Sequence, residues 1–470
     1  MFRYGFVFKD REFVKRVMVV AIPMILQQLI SSSVNLIDNL MVGQLGEFAI
    51  AGVATSNKYF MISFFAMMGI VAASTIYLAQ AYGAKKEELM KQSFRFGLIY
   101  SLIIILFFSS AAWLFPEQII RFFSNNDGLV DAALKYIPVA ALTFFPQAIS
   151  FTISSSMRAC GETKQPLVSS VLSLSINVVM NYVLIFGHFG FPALGILGAA
   201  VGTLIARLIE LTYLLVILYY RNFAFKTNIK DVFKIHPRLR KAITIKAIPL
   251  VLNEIGWSGG MALLFKFYAT RGAYALAALP IASTTADLFF VLFSGMAVAT
   301  TVMVSHPLGS NDLEQAKENG YKMLQLAIIL AIFFALGLIG ASFVTPHLYN
   351  VSDEVRNMAA NLIRIQGLFF FIYMHNAQSF FVIRAGGDTR STLIMDSGYM
   401  WAINLPVVAF FAYQTNFSIF VVFIAGQVTD ILKMFVTSYY FRKEHWAKNL
   451  THDEDVLPVG LENGSVLESV

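Results

Sequence analysis

Four polar side chains recur at helical spacing within an otherwise apolar segment near the N-terminus. Gln27, Ser31, Asn35 and Asp38 are separated by four, four and three residues, which places them on one face of a helix. A buried carboxylate can bind a proton, or a hard monovalent cation when amide and hydroxyl oxygens lie beside it. Because burial favours the neutral acid and a bound cation favours the anion, Asp38 is a candidate for a group whose charge changes with occupancy.

A second polar stripe follows later in the chain. Ser173, Asn177 and Asn181 are four residues apart, and Thr203 lies in the next apolar segment. At the helical rise per residue, Asp38, Asn181 and Thr203 lie at similar depth, roughly 8–12 Å from the outer ends of their segments. We therefore predict a cation-coupling site of Asp38, Asn177, Asn181 and Thr203, whose oxygens would be the metal ligands if the ion is Na⁺. The alternative is a polar clamp between helices.

Ionisable residues also occur within apolar segments of the second half. Such residues are costly in a membrane and indicate function by default. We treat Glu254, Asp287 and His375 as candidates for a polar, substrate-binding cavity, together with Gln27, Ser31 and Asn35 of the first stripe. Structural ion pairing is the alternative for the two acids, with Lys266 a partner for Asp287. For His375 the alternative is a hydrogen-bonded interior histidine.

Composition identifies the class of protein that carries these residues. Of the 470 residues, 57% are hydrophobic and 13% are charged, whereas soluble proteins carry about 25% charged residues. This excludes an ordinary soluble enzyme and a disordered chain, and the single Cys160 excludes a disulfide framework. Since a spanning helix needs about 20 apolar residues, we predict an all-α polytopic membrane protein. Twelve transmembrane helices are predicted, near residues 17–42, 51–82, 95–115, 130–156, 167–187, 195–220, 243–269, 274–305, 323–344, 358–383, 391–413 and 418–441.

The distribution of Lys and Arg predicts the orientation. Most of the 35 basic residues fall in the N-terminal segment, in loops after even-numbered helices and in the C-terminal tail. The positive-inside rule then places both termini in the cytoplasm, in a plasma membrane that we expect to be a prokaryotic inner membrane. Residues 1–16 and 442–470 are the predicted cytoplasmic ends. Residues 221–242 form a basic connector, which we expect to contact anionic lipid headgroups rather than nucleic acid.

The two halves of the chain repeat each other at an offset of 226 residues. Pro23 matches Pro249, Thr203 matches Thr429, and the charged run that begins at Arg158 matches the one that begins at Arg384. Because the offset spans six helices, the repeats are parallel. We predict an N-lobe at 17–220 and a C-lobe at 243–441, an arrangement typical of alternating-access transporters. Pro23 is a hinge candidate because it lacks a backbone donor, and a structural protein or passive channel is the alternative.

Several motifs resemble one transporter family, multidrug and toxic compound extrusion (MATE). The first-half pattern resembles DinF-like and archaeal members, whereas Trp257 stands where NorM-type members have a helix 7 glutamate, with Glu254 about one turn earlier. The resemblance implies a V-shaped pair of six-helix lobes and cation-coupled export of amphipathic compounds. It is carried by Ile22-Pro23, Val34-Asn35-Leu36-Ile37-Asp38, Met41–Gly46, Arg158–Pro166, Asn181-Tyr182, Gly195–Ala200 and Arg384–Arg390.

The function predicted from these observations is secondary antiport. We expect export of amphipathic, often cationic drugs or toxic compounds in exchange for Na⁺ or H⁺. A flippase for lipid-linked saccharides, from the same broader superfamily, is the alternative. The chain has no His-Glu-x-x-His motif and no phosphate-binding loop, so no enzyme activity is expected. We likewise expect no cofactor beyond the coupling ion, no nucleotide or nucleic-acid partner, and a monomer in contact with membrane lipids.

Overall fold

The described part of the protein is helical almost throughout. The computed structural model describes residues 5–451, without the side chains of residues 34–36 and 39. In this part, the ordered elements between the turns are helices, as the composition predicts, and the all-α class is confirmed. The long helices are α1 (Arg11–Gly43), α2 (Glu47–Gly83), α3 (Glu87–Leu114), α4 (Asp127–Ala159), α5 (Lys164–Phe186), α6 (Ile196–Tyr220), α7 (Pro237–Ala269), α8 (Ala273–Gly309), α9 (Leu313–Ala341), α10 (Asp353–Ala385), α11 (Thr389–Gln414) and α12 (Ile419–Arg442).

Eleven of these helices in the described chain are long and apolar enough to cross a membrane. The exception, α10, carries more polar residues. Several of these side chains are buried and form hydrogen bonds to neighbouring helices. Gln378 Nε2 donates to Thr300 Oγ1 at 2.7 Å, and Asn376 Nδ2 donates to the Asp430 carbonyl oxygen at 3.0 Å. Polar groups that form hydrogen bonds to neighbouring helices are compatible with a helix inside a membrane bundle.

The helix α11 is wound irregularly. Residues Ile394–Gly398 and Met400–Asn404 form two π-helical stretches between the α-helical ends of α11. A π-helical turn widens the helix by one residue, and such turns are frequent at functional sites. Asp396 lies in the first of the two stretches.

The described chain divides into two compact units. Unit I comprises residues 26–251 and 451, and unit II comprises residues 5–25 and 252–450. Each boundary falls two residues after a repeat-related proline, Pro23 in α1 and Pro249 in α7. The units therefore divide inside helices, whereas the predicted lobes 17–220 and 243–441 divide in loops.

Each unit has its own apolar core. In unit I, the Phe60 ring stacks on the Phe144 ring of α4 with centroids 4.3 Å apart. In unit II, Phe370 of α10 is fully buried and stacks with Phe290 and Phe293 of α8, at centroid distances of 5.5 and 5.8 Å. The Phe13 side chain at the start of α1 is also part of the unit II core. Aromatic packing of this kind fixes the rotation of the helices that carry the polar residues.

Equivalent positions of the two repeats form the same kind of hydrogen bond. In unit I, Gln27 Nε2 of α1 donates to Ser170 Oγ of α5 at 2.5 Å. In unit II, Asn253 Nδ2 of α7 donates to Asp396 Oδ2 of α11 at 3.1 Å. Both pairs are related by the 226-residue offset. In each repeat, a hydrogen bond from a side-chain amide at the equivalent position thus joins the first helix to the fifth.

Candidate cation site

The close approach of α5 and α6 depends on a glycine. A Cβ at Gly202 of α6 would lie 2.4 Å from Asn181 Oδ1 of α5, which is closer than two such atoms can come. Only glycine therefore leaves room for the Asn181 side chain at this crossing. One turn of helix separates Asn181 from Asn177, so both amides lie on the face of α5 that carries the polar stripe.

Asp38 of α1 meets this polar face. Asn181 Nδ2 donates to Asp38 Oδ1 at 2.9 Å. One terminal atom of the Asn177 amide lies 2.7 Å from Asp38 Oδ2 and 2.9 Å from Oδ1, and the other lies 3.1 Å from Thr203 Oγ1. The structure thus brings together Asp38, Asn177, Asn181 and Thr203, the four residues of the predicted cation-coupling site.

The Asn177 amide has two possible orientations, which differ in their hydrogen bonds. With its nitrogen towards Asp38, the amide donates to the carboxylate and its oxygen accepts from the Thr203 hydroxyl, so both ends are paired. With its oxygen towards Asp38, the amide donates to Thr203 Oγ1, which itself donates to the Ala199 carbonyl oxygen at 2.9 Å. Two acceptors then face each other, which is stable only with a proton or a cation between them.

Asp38 has no basic partner among the described residues. The basic residue on the neighbouring part of α6 is Arg207, whose guanidinium donates to Glu210 Oε2 at 2.7 Å. The Arg207 charge is thereby already paired within its own helix. The half-buried Asp38 carboxylate consequently depends on neutral amides for its stabilisation, and a cation or proton would compensate its charge.

The carboxylate faces a cavity of about 320 Å³. Two polar residues of its wall were not predicted from the sequence, namely Asn57 of α2 and Tyr136 of α4. The Tyr136 hydroxyl donates to Asn57 Oδ1 at 3.4 Å. Asn57 could have been noticed as an amide within an apolar helix, whereas nothing in the sequence distinguishes Tyr136. The cavity is lined by Asp38, Val42, Val53, Asn57, Tyr136, Asn181, Ala199 and Thr203.

The donor atoms around this cavity fit a monovalent cation. Asn181 Oδ1 is buried and has no hydrogen-bond partner among the described residues. Asp38, Thr203 and Asn177 also carry oxygen atoms, and oxygen ligands suit a hard ion such as Na⁺. The described residues contain no group of three or more His, Cys, Asp or Glu side chains able to hold a metal. Among the residues that line the cavity in the described chain, Asp38 is the one acidic residue.

The remaining residues of the first polar stripe lie elsewhere. Gln27 is engaged with Ser170, and Ser31 is half-buried outside the cavity wall. The side chain of Asn35 lies outside the described residues. The structure therefore separates Gln27 and Ser31 from the immediate surroundings of Asp38.

A family model covers both repeats. The MatE model matches residues 23–183 and 249–410, which is more than half of the chain. The chain belongs to the MATE family of transporters.

Relatives and solved structures agree with this membership. The MATE transporter is 28% identical over 405 residues to a probable multidrug resistance protein NorM of Bradyrhizobium diazoefficiens, covering 84% of this chain and 86% of that one. It is 27% identical over 403 residues to an uncharacterized transporter, YisQ, of Bacillus subtilis, covering 83% and 86%.

Two solved structures share the fold of the MATE transporter. An outward-facing multidrug resistance MATE transporter superposes with a TM-score of 0.83 at 19% identity, covering 91% of this chain and 95% of that one. A Pyrococcus furiosus transporter of the MOP superfamily, described as having a binding pocket of reversed polarity, superposes with a TM-score of 0.81 at 18% identity, covering 91% and 95%.

Four charged side chains in unit II of the MATE transporter form two pairs. Arg384 donates to Glu254 Oε1 at 3.4 Å, and Lys433 Nζ donates to Asp396 Oδ1 at 2.7 Å. Glu254 is buried, and its pairing corresponds to the structural alternative given for it above. His375 Nε2 lies 3.3 Å from Ser438 Oγ, which corresponds to the interior-histidine alternative.

Two other charges in the MATE transporter stand on exposed helix faces. Asp287 of α8 is exposed, as is Lys266 of α7, and within the described residues no ion pair joins them. Lys58 of α2 is also exposed, close to the position equivalent to Asp287 in the first repeat. The sequence analysis missed Lys58 as a site residue, although an intramembrane lysine is itself a signal.

Proposed function

We propose that this MATE transporter is a secondary antiporter. It exports amphipathic, often cationic organic compounds in exchange for Na⁺ or H⁺. The observation that carries the proposal is the Asp38 carboxylate, which faces a cavity, lacks a basic partner among the described residues and is surrounded by amide and hydroxyl groups. A single acid in these surroundings can take up one cation or one proton and release it again.

The Asn177 amide would change its orientation when Asp38 binds a cation or a proton. With Asp38 ionised and empty, the Asn177 nitrogen is expected to face the carboxylate and donate to it. A proton on Asp38 becomes a donor to an amide oxygen, and Na⁺ attracts the same oxygen, so in either case the amide turns its oxygen inward. Thr203 accommodates both states, because its hydroxyl donates to Asn177 in one and to the Ala199 carbonyl in the other.

A change in the charge of Asp38 would alter the bend of α1, the helix that carries it. Residues on the two sides of Pro23 in this helix belong largely to different units, and proline removes one hydrogen bond from the helix interior. We propose Pro23 as the hinge at which α1 bends when the charge of Asp38 is neutralised. Coupling then requires that the occupied and empty forms prefer different bends of α1, by a differential binding free energy.

Substrate recognition is proposed for the polar groups that do not belong to the cation site. Asp287 is the first choice, because its carboxylate is exposed, has no ion-pair partner among the described residues and could attract a cationic compound. Glu254 and His375 are second choices, since each has a partner within unit II. Gln27, Ser31 and Asn35 remain candidates on the α1 stripe.

The orientation and surroundings of the protein are part of the proposal. The basic N-terminal segment, connector and tail support an orientation with both termini in the cytoplasm, in a prokaryotic inner membrane. We propose that the protein works there as a monomer in contact with lipids, without nucleotide or any cofactor beyond the coupling ion.

The experiment that tests the proposed function is dye efflux from reconstituted liposomes. Liposomes that contain the purified wild-type protein are loaded with a cationic dye, and Na⁺ and H⁺ gradients are imposed separately. Antiport predicts accumulation of dye against its own gradient with one of the two ions, and none when both gradients are absent. Equal downhill flux under all conditions would indicate a passive channel, and transport of a lipid-linked saccharide instead of dye would indicate a flippase.

A further inference from the structure

Part of the basic connector is fixed to the helices beside it. We call residues 221–236 the connector segment. Arg95 of α3 donates from Nε to Thr227 Oγ1 at 2.8 Å and from a terminal nitrogen to the Lys234 carbonyl oxygen at 2.9 Å. Tyr219 at the end of α6 donates its hydroxyl to the Thr227 carbonyl oxygen at 2.9 Å. Arg95 is itself buried, so these contacts hold the segment at several points.

Two further contacts extend this attachment along the segment. The Phe225 side chain is fully buried, and its ring lies against Phe94 with centroids 5.2 Å apart. The backbone nitrogen of His236 donates to Gln92 Oε1 at 2.9 Å. The connector segment is therefore an ordered part of unit I rather than a free linker.

The attachment points lie at the membrane boundary. The apolar part of α3 runs from Phe96 to Leu114, about one hydrocarbon thickness. Arg95 and Gln92 immediately precede this apolar part, and α6 ends at Tyr220. Tyrosines are enriched at the membrane–water interface. The segment held by Arg95, Gln92 and Tyr219 consequently lies at the level of the lipid headgroups.

At this level the segment exposes large apolar side chains beside lysines. Ile229 is 86% exposed and Phe233 is 82% exposed, although buried contacts fix the segment on both sides of them. Lys230 has no ion-pair partner among the described residues, and Lys234 pairs with Asp231 at 3.0 Å. Apolar residues flanked by lysines at an interface are typical of segments that bind anionic membranes.

We propose that residues 227–234 form an interfacial anchor in the cytoplasmic leaflet. Ile229 and Phe233 enter the boundary between headgroups and acyl chains, while Lys230 and Lys234 contact anionic headgroups. Through Arg95 the anchor is tied to α3, so it fixes the height of α3 in the leaflet. The inference rests on the orientation proposed above and is independent of what the protein transports.

Fluorescence quenching tests the anchor directly. In a Cys160→Ser background, Phe233→Cys is labelled with an environment-sensitive fluorophore and reconstituted into phosphatidylcholine vesicles, with or without phosphatidylglycerol. The matched control is Ser310→Cys, an exposed residue in the turn between α8 and α9. We expect spin-labelled lipid to quench the label at residue 233 at least twofold more than at residue 310, and aqueous iodide to quench it less.

The lysines are tested in the same assay. Phosphatidylglycerol should increase lipid quenching at residue 233, and the double change Lys230→Gln and Lys234→Gln should remove that increase while leaving quenching in neutral vesicles unchanged. Equal iodide quenching at residues 233 and 310, repeated with a label at Ile229→Cys, would overturn the anchor. Insertion that is insensitive to phosphatidylglycerol would overturn the role of the lysines.

Discussion

Asn181 and Asp38 form a hydrogen bond that uses only half of the Asn181 amide. Its nitrogen donates to Asp38 at 2.9 Å, while its oxygen is buried without a partner among the described residues. Leaving a buried acceptor unpaired costs about 1–3 kcal/mol. The site therefore holds a free oxygen beside a carboxylate, which is the combination that a bound cation would satisfy.

The first prediction concerns the glycine that makes room for Asn181. In Gly202→Ala, the new Cβ would fall 2.4 Å from Asn181 Oδ1, so the Asn181 amide must shift and its hydrogen bond to Asp38 is disturbed. We expect a rise of about tenfold or more in the ion concentration that gives half-maximal efflux, equivalent to about 1.4 kcal/mol. Ion-dependent efflux in proteoliposomes measures it.

Gly340→Ala is the matched control for this change. A Cβ at Gly340 meets nothing within 4 Å, so the substitution should leave ion dependence unaltered. If both variants shift the ion dependence equally, or if neither does, the position of the Asn181 amide does not determine ion affinity.

A second prediction concerns the ion pair in α11 and α12. Both Asp396 and Lys433 are mostly buried, with side-chain exposures of 19% and 17%. Removing one partner of a buried pair leaves the other charge unpaired and typically lowers the free energy of unfolding by about 3–5 kcal/mol. Lys433→Met should therefore lower the thermal unfolding temperature in detergent, and adding Asp396→Asn should restore most of the loss. A double variant no more stable than Lys433→Met would show that the two charges are not coupled.

A third prediction concerns pH and the N-terminal contact of unit II. The hydrogen bond from Lys322 Nζ, at 2.7 Å, and the one from the Phe13 backbone lower the pKa of Asp10 from its usual 3.8. A lowered pKa gives stability that is present above the usual value and lost as the pH falls through the folded value. The wild type should thus lose more stability than Asp10→Asn on going from about pH 5 to pH 3. Thermal unfolding at each pH measures this, and parallel losses would contradict it.

A fourth prediction concerns the charge of the substrate. If Asp287 attracts cationic compounds, Asp287→Asn should raise KM for a cationic dye several-fold, with less effect on a neutral one. Lys58→Gln, which removes a positive charge from the equivalent region of α2, should lower KM for the same cationic dye or leave it unchanged. Equal effects of Asp287→Asn on charged and neutral dyes would assign Asp287 a structural role.

The sequence predicted the fold and the core of the candidate site because both depend on regular spacing. Apolar length gives the helices, and the periods of the α1 and α5 stripes put Asp38, Asn177 and Asn181 on faces that can meet. Periodicity does not say which faces of different helices come together. For this reason Asn57 and Tyr136 were missed, and Gln27 was grouped with Asp38 although it bonds to Ser170.

The ion pairs could not be predicted from the spacing of residues in the sequence either. Lys266 was considered as a partner for Asp287, but both side chains are exposed and no ion pair joins them in the described chain. Glu254 instead pairs with Arg384, 130 residues away in the sequence. Such contacts depend on the rotation and crossing of helices, which are set by packing in the whole unit.

Gradient-driven efflux by Asp38→Asn is the most direct test of whether Asp38 carries ion coupling. The change keeps the size of the side chain but removes its charge, and Asp131→Asn, an exposed acid at the start of α4, serves as the control. Both variants should fold and reach the membrane. We predict that Asp38→Asn loses dye efflux driven by the coupling ion, whereas Asp131→Asn retains it. Efflux by Asp38→Asn at the wild-type rate under the same imposed gradient would contradict the account.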